Sequence, residues 1–71
     1  MDAERIEALD ELAATIRAER RARNMTQQEF ADFLGVTRAY VIKLESGDDT
    51  KLRRLVAALE MLGMDLRAVR R

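Results

Sequence analysis

Thr26-Gln27-Gln28-Glu29-Phe30-Ala31-Asp32-Phe33-Leu34-Gly35-Val36-Thr37-Arg38-Ala39-Tyr40-Val41-Ile42-Lys43-Leu44-Glu45-Ser46-Gly47 holds the plan of this chain in one segment. Its first four residues have the S/T-x-x-E form of a capping box, in which a hydroxyl and a carboxylate each satisfy a backbone N–H at the start of a helix. Phe30, Ala31 and Leu34 then fall at the spacing of an inward helical face. Gly35 closes that helix, because a residue without a Cβ enters the left-handed region at no steric cost. Thr37 is a good N-cap for a second short helix, with Val41 and Leu44 inward and Gly47 at its end. The small Ala31 lets the two helices approach closely.

Upstream, residues 3–23 set Ile6, Leu9, Leu12, Ala13 and Ile16 at the steps of one helical stripe, which predicts a long first helix with Asn24 as its stop and residues 1–11 as an acidic extension. Downstream, the acidic loop at 46–49 leads to Thr50 as the next cap. Leu52, Leu55, Leu59 and Leu62 then mark a fourth helix that ends at Gly63. In residues 64–71, Met64, Leu66 and Ala68 alternate with Asp65, Arg67 and Val69, which suits a short strand better than a frayed helix capped by Asp65. No repeat, low-complexity tract or Pro/Gly/Ser linker divides the chain, so residues 1–71 read as one domain, all-α apart from that strand.

A chain of 71 residues is below the size at which one core comfortably offsets chain entropy, so a second copy of itself is an expected source of stability. Cysteine, histidine and proline are absent, which excludes disulfides, thiolate or imidazole zinc sites and a His or Cys catalytic centre. No other catalytic constellation is visible, and neither an enzyme nor a cofactor or metal is expected. The opening residues lack a basic n-region and the longest apolar run covers only residues 55–59, so a cytoplasmic protein without a membrane partner is expected. The formal net charge is zero, but it is a sum of unlike parts. Residues 1–11 hold five acids against Arg5, which leaves twelve Lys or Arg against eight acids in the remainder. That mild surplus predicts modest non-specific affinity for a polyanion and does not forbid specific binding.

Two short helices joined by a brief connection containing glycine have the form of a helix-turn-helix. The string Thr26-Gln27-Gln28-Glu29-Phe30-Ala31, with Gly35-Val36-Thr37, Val41, Leu44-Glu45 and Gly47 in register, resembles the Cro/repressor (Xre) helix-turn-helix family over residues 15–63 or so. The resemblance implies a small lambda-repressor-like bundle of four helices that binds double-stranded DNA. The third helix turns Ala39, Ile42, Lys43 and Ser46 outward, with Arg38 at its tip. On the family reading Arg38 contacts guanine O6 and N7, Lys43 guanine or phosphate, and Ala39 or Ile42 a thymine methyl group. Gln27, Thr37, Tyr40 and Ser46 would contact phosphate, Gln27 from the first turn of a helix whose N–H groups and dipole welcome an anion. The alternatives are that Gln27 is an ordinary polar first-turn residue and that the outward face of the third helix is a solvated one. Ile42 departs from the family, which usually has a small polar residue there.

Arg20 falls on the stripe of Leu9, Leu12 and Ile16, where a charge needs a partner. Glu45 stands at a helix C-terminus, where the dipole disfavours a carboxylate. Relatives with this motif pair an arginine of the first helix with the glutamate of Glu-x-Gly, so the resemblance implies an Arg20–Glu45 ion pair; otherwise Arg20 snorkels to solvent and Glu45 is exposed. Arg17, Arg21 and Arg23 either form a backbone-contacting fringe or complement the dipole of the first helix. Phe33 reads as outward, packing on the extra turns of the first helix or on a partner.

Residues 59–66 are similar to the HipB-like antitoxins, in which a short C-terminal strand pairs between subunits, although the loop before the fourth helix is one residue shorter. That similarity implies a repressor of its own operon, nucleoid-associated when bound, with a HipA-like kinase toxin as partner. It also implies a homodimer joined through Met64, Leu66 and Ala68 that reads an inverted-repeat operator. Phage Cro-type and restriction-controller regulators share the same DNA chemistry. A helical interaction adaptor without DNA binding, which the zero net charge favours, is the alternative of another class.

Overall fold

Local capping chemistry sets the element boundaries. The computed structural model describes residues 6–71 and has four helices in chain order, α1 (Glu7–Ala22), α2 (Gln27–Leu34), α3 (Arg38–Ser46) and α4 (Thr50–Met61). Residues 3–5 of the expected first helix lie outside the described residues, and α1 starts after Ile6 without a side-chain cap. At α2 the capping box is complete: the Thr26 hydroxyl accepts from the Glu29 N–H at 3.0 Å, and the Glu29 carboxylate accepts from the Thr26 N–H at 2.8 Å. Thr37 caps α3 by accepting from the Tyr40 N–H at 3.1 Å. The cap of α4 is Asp49 and not the expected Thr50. Its carboxylate accepts from the N–H groups of Lys51 at 3.0 Å and Leu52 at 3.2 Å, and its charge complements the helix dipole as a hydroxyl would not. Each helix is followed by a left-handed residue, Asn24 (φ 56°) after α1 and a glycine after each of the others.

α1 lies against α3 and α4, and α2 packs on α3. The apolar core consists of Leu9 and Ala13 from α1, Ala31 from α2, Val41 from α3 and Val56 from α4. Two expectations fail here. Leu34 is 44% exposed, because Phe30 and Ala31 already fill the inner face of the short α2 and Leu34 sits in its last turn. On α4 the expected stripe splits: Leu52, Val56 and Leu59 are buried or half-buried, whereas Leu55 and Leu62 are exposed. This helix carries apolar residues on both faces, so its periodicity fits two offset stripes, and contact with α1 selects the one containing Val56.

Residues 62–71 form no regular secondary structure, in place of the expected strand. A strand is stable only as part of a ladder, and no second strand exists among the described residues. α4 instead closes with the Met64 N–H donating to the Leu59 carbonyl at 2.8 Å and the Gly63 N–H to the Glu60 carbonyl at 3.0 Å. The tail then returns along α1, with Leu66 half-buried and the Arg70 guanidinium donating to both carboxylate oxygens of Glu19.

Gly35 and Gly47 both have positive φ, 73° and 78°, but different surroundings. A Cβ at Gly35 meets open space, whereas one at Gly47 would stand 2.7 Å from Asp10 Oδ1 on α1. Alanine at either position carries the left-handed penalty of about 1–2 kcal/mol. Gly47→Ala must also displace the Asp10 side chain, so it is expected to lower the urea midpoint more than Gly35→Ala does. Equal losses would show that Asp10 yields freely.

Candidate nucleic-acid interface

The two motif helices are held in place from α1. Arg20 and Glu45 are 8% and 6% exposed and meet as a fork, Nε donating to Oε2 at 2.6 Å and Nη2 to Oε1 at 3.0 Å. The remaining Nη1 donates to the Met25 carbonyl at 2.7 Å in the loop before α2. Gln27, half-buried in the first turn of α2, donates its amide to Glu45 Oε1 at the longer distance of 3.4 Å. Burial pushes the Glu45 carboxyl up, but hydrogen bonds from Arg20 and Gln27 and the charges of Arg20 and Arg17 outweigh it and hold it below the ordinary glutamate range. The hydrogen bond to Glu45 raises Arg20 in turn, so both groups are charged. One guanidinium thus joins α1, the loop into α2 and the C-terminal end of α3.

With Val41 and Glu45 turned inward, the opposite side of α3 is free. Arg38, Ala39, Ile42 and Lys43 are all exposed, Ile42 at 45%. Among the described residues neither Arg38 nor Lys43 has an ion-pair partner. The face therefore offers two uncompensated cations with apolar groups between them.

The residues expected at phosphate are placed less uniformly. Thr37 is exposed, and its oxygen accepts the cap hydrogen bond while its own hydrogen remains a donor. The Ser46 hydroxyl is engaged with the Lys43 carbonyl at 3.1 Å and the Asp48 carboxylate at 3.0 Å. The Tyr40 hydroxyl donates to the Asp49 carboxylate, which raises the tyrosine above its ordinary value and lowers the aspartate below its own. A carboxylate at that oxygen repels a phosphate, so Tyr40 ties α3 to the cap of α4. The arginines of α1 also separate. Arg17 and Arg21 line a groove of about 540 Å³ with Glu45 and Ser46, on the α3 side. Arg23 pairs instead with Glu19 at 2.7 Å, alongside Arg70 of the tail.

Sequence reasoning missed the Tyr40–Asp49 link, the Gln27–Glu45 contact and the Arg70–Glu19–Arg23 cluster. Met64 and Ala68, expected at a subunit contact, are exposed. Leu66 is half-buried in a cleft against Ala8 and Leu12 of its own α1.

Removing either partner of the Arg20–Glu45 pair leaves the other buried and unpaired, so each alanine variant is expected to lose more than the about 1 kcal/mol of a surface pair. Arg20→Lys keeps the charge but not the fork and should rescue only part of the loss. In a double-mutant cycle followed by urea unfolding, additive losses would rule out the coupling. Glu45 is lowered on folding, so its contribution is present above the unfolded value near about pH 4.3 and is lost as pH falls through the lower folded value. Glu45→Gln should accordingly flatten the fall in stability over that acid window.

The profile of the helix-turn-helix family matches residues 16–69. No curated protein and no solved structure gives a match. Among the described residues no helix is long and apolar enough to cross a membrane. The matched span holds α2, α3 and α4, the C-terminal part of α1 including Arg20, and the exposed cationic face of α3. The chain therefore belongs to the Cro/repressor (Xre) type of the helix-turn-helix family, the DNA-binding transcription regulators.

Proposed function

We propose that this protein is a sequence-specific repressor that binds an inverted-repeat operator as a homodimer and is not an enzyme. The observation that carries the reading is the outer face of α3, with Arg38 and Lys43 unpaired and Ala39 and Ile42 exposed beside them. In the major groove Arg38 makes a bidentate contact with guanine O6 and N7, Lys43 reaches guanine or phosphate, and Ile42, with Ala39, lies against a thymine methyl group. Thr37 and the first turn of α2 at Gln27 meet the phosphate backbone. The contact from Gln27 to Glu45 is long, so the amide can exchange it for a phosphate oxygen at small cost. Two such modules related by a two-fold axis reach half-sites about 34–36 Å apart.

A finer reading, in which the protein is the antitoxin and autoregulator of an operon with a HipA-like kinase toxin, is supported by the similarity of residues 59–66 alone. It is tested by copurification with the product of the neighbouring gene.

The DNA reading is tested by selecting duplexes from a random pool and titrating the best one against salt. Affinity should fall as salt rises, by the release of counterions from phosphate; binding indifferent to salt, or none, would favour the adaptor. Arg38→Ala should cost about 1–3 kcal/mol and relax preference at one base pair per half-site, while Gln27→Ala should weaken all duplexes alike.

The exposed Ile42 gives a sharper test. Replacing thymine by uracil in the selected half-site removes only the methyl group, and this should weaken the wild type but leave Ile42→Ser unaffected. Equal loss in both proteins would place the methyl contact elsewhere.

A further inference from the structure

The tail ends at the part of α1 that leads into α2. Leu66 seats it in the cleft beside Ala8 and Leu12, and Arg70 then reaches Glu19, donating to Oε1 at 3.2 Å and also to Oε2. Arg23, the C-cap residue of α1, donates to the same Oε1 at 2.7 Å and to the Glu19 carbonyl at 2.9 Å. A groove of about 470 Å³ opens at this junction, lined by Thr15, Glu19, Arg23 and residues 68–71. Three of those residues, Arg23, Arg70 and Arg71, are exposed arginines, and only Glu19 is acidic. One carboxylate cannot neutralise three guanidinium groups, and of the five N–H donors on each it engages no more than two. The chain itself fixes where this cluster stands. The Met25 N–H donates back to the Arg20 carbonyl at 3.2 Å, so the turn after Arg23 is tight and the first turn of α2, at Gln27, lies next to the groove.

We propose that Arg23, Arg70 and Arg71 form a seat for a phosphate of the DNA backbone just beyond the base pairs that α3 reads, with Glu19 fixing Arg70 in position. The proposal rests on the operator reading above for its ligand. Guanidinium forks match the oxygens of a phosphate, and the cations left over by Glu19 supply the attraction. Glu19 also holds Arg23 and Arg70 in place in the free protein, which lowers the ordering cost that loose arginines would meet on binding. The seat continues the line of phosphate contact that begins at Gln27. It touches no base, so its contribution is the same for every flanking sequence. Arg67, paired with Asp65 at 3.5 Å, stands outside it.

The test uses the full chain and two duplexes carrying one selected half-site, one trimmed to the base pairs α3 requires and one extended by about five base pairs of arbitrary sequence at each end, a stretch that adds phosphates and no specific bases. The wild type should bind the extended duplex about tenfold more tightly, as a charge-assisted hydrogen bond would give, and with a steeper salt dependence. Arg70→Ala combined with Arg71→Ala should bind both duplexes at the trimmed level, with the helical circular dichroism unchanged because both side chains are exposed. Arg67→Ala should keep the whole gain. Glu19→Ala separates a built seat from mere charge. It makes the chain more cationic, so charge alone predicts a larger gain on the extended duplex, whereas the seat predicts a smaller one. Equal binding of the two duplexes by the wild type, a gain that survives the loss of Arg70 and Arg71, or a larger gain in Glu19→Ala would overturn the proposal and leave the operator reading standing. A wild type that binds neither duplex would overturn both.

Discussion

The placement of α2 and α3 on α1 depends on the guanidinium of Arg20. Its five N–H groups are spread over a plane, and three directions of that plane are used: two at the Glu45 carboxylate and one at the Met25 carbonyl. Those acceptors belong to the end of α3 and to the loop that feeds α2, so the orientation of both motif helices relative to α1 is written into one rigid fork. A buried pair of this kind is weak evidence for net stability, since desolvation offsets much of the attraction. What it supplies is geometry, which a lysine with a single mobile ammonium could not. Gln27 adds a long contact to the same carboxylate and so connects the first turn of α2 to the cluster.

The second organising feature is the division of labour on the two longer faces of the bundle. α1 is used on three sides: the core through Leu9 and Ala13, the ion pair through Arg20, and the tail through Glu19 and the cleft at Leu66. α4 is used on one side only, through Val56 and its neighbours, and is tied at its start to α3 by the Tyr40–Asp49 hydrogen bond. Asp49 thereby serves two helices, as cap for α4 and as acceptor for the tyrosine of α3. The corner between them is a joint of defined angle, closed further by the approach of Gly47 to Asp10.

How much of this is legible in the sequence follows from how local each signal is. The capping box at Thr26, the Thr37 cap and the left-handed stops at Asn24, Gly35 and Gly47 involve residues a few positions apart, and the sequence displays them. The α4 boundary is harder, because Asp49 and Thr50 are adjacent and both are good caps; which one serves depends on the backbone at the corner. The α4 core face is harder again, since Leu52, Leu55, Val56, Leu59 and Leu62 satisfy two stripes and only contact with α1 distinguishes them. Arg20 and Glu45 are visible as charges where the pattern asks for none, while the distance between them belongs to the fold. Tyr40 with Asp49, and Arg70 with Glu19, have no sequence signal at all, because each depends on a chain reversal bringing distant residues together.

The exposed face of α3 has one more consequence, which concerns change over time. The side chains of Arg38, Ala39, Ile42 and Lys43 are exposed, while Val41 and Glu45, on the same helix, are fixed by the core and by Arg20. Substitutions at such surface positions typically move stability by no more than about 0.5 kcal/mol. The four outer residues can therefore be exchanged as a set, by selection or by an engineer, with the scaffold left as it is. A helix whose inner half is frozen and whose outer half is free is a replaceable reading head, and a family built on it can diversify its targets without having to refold its domain.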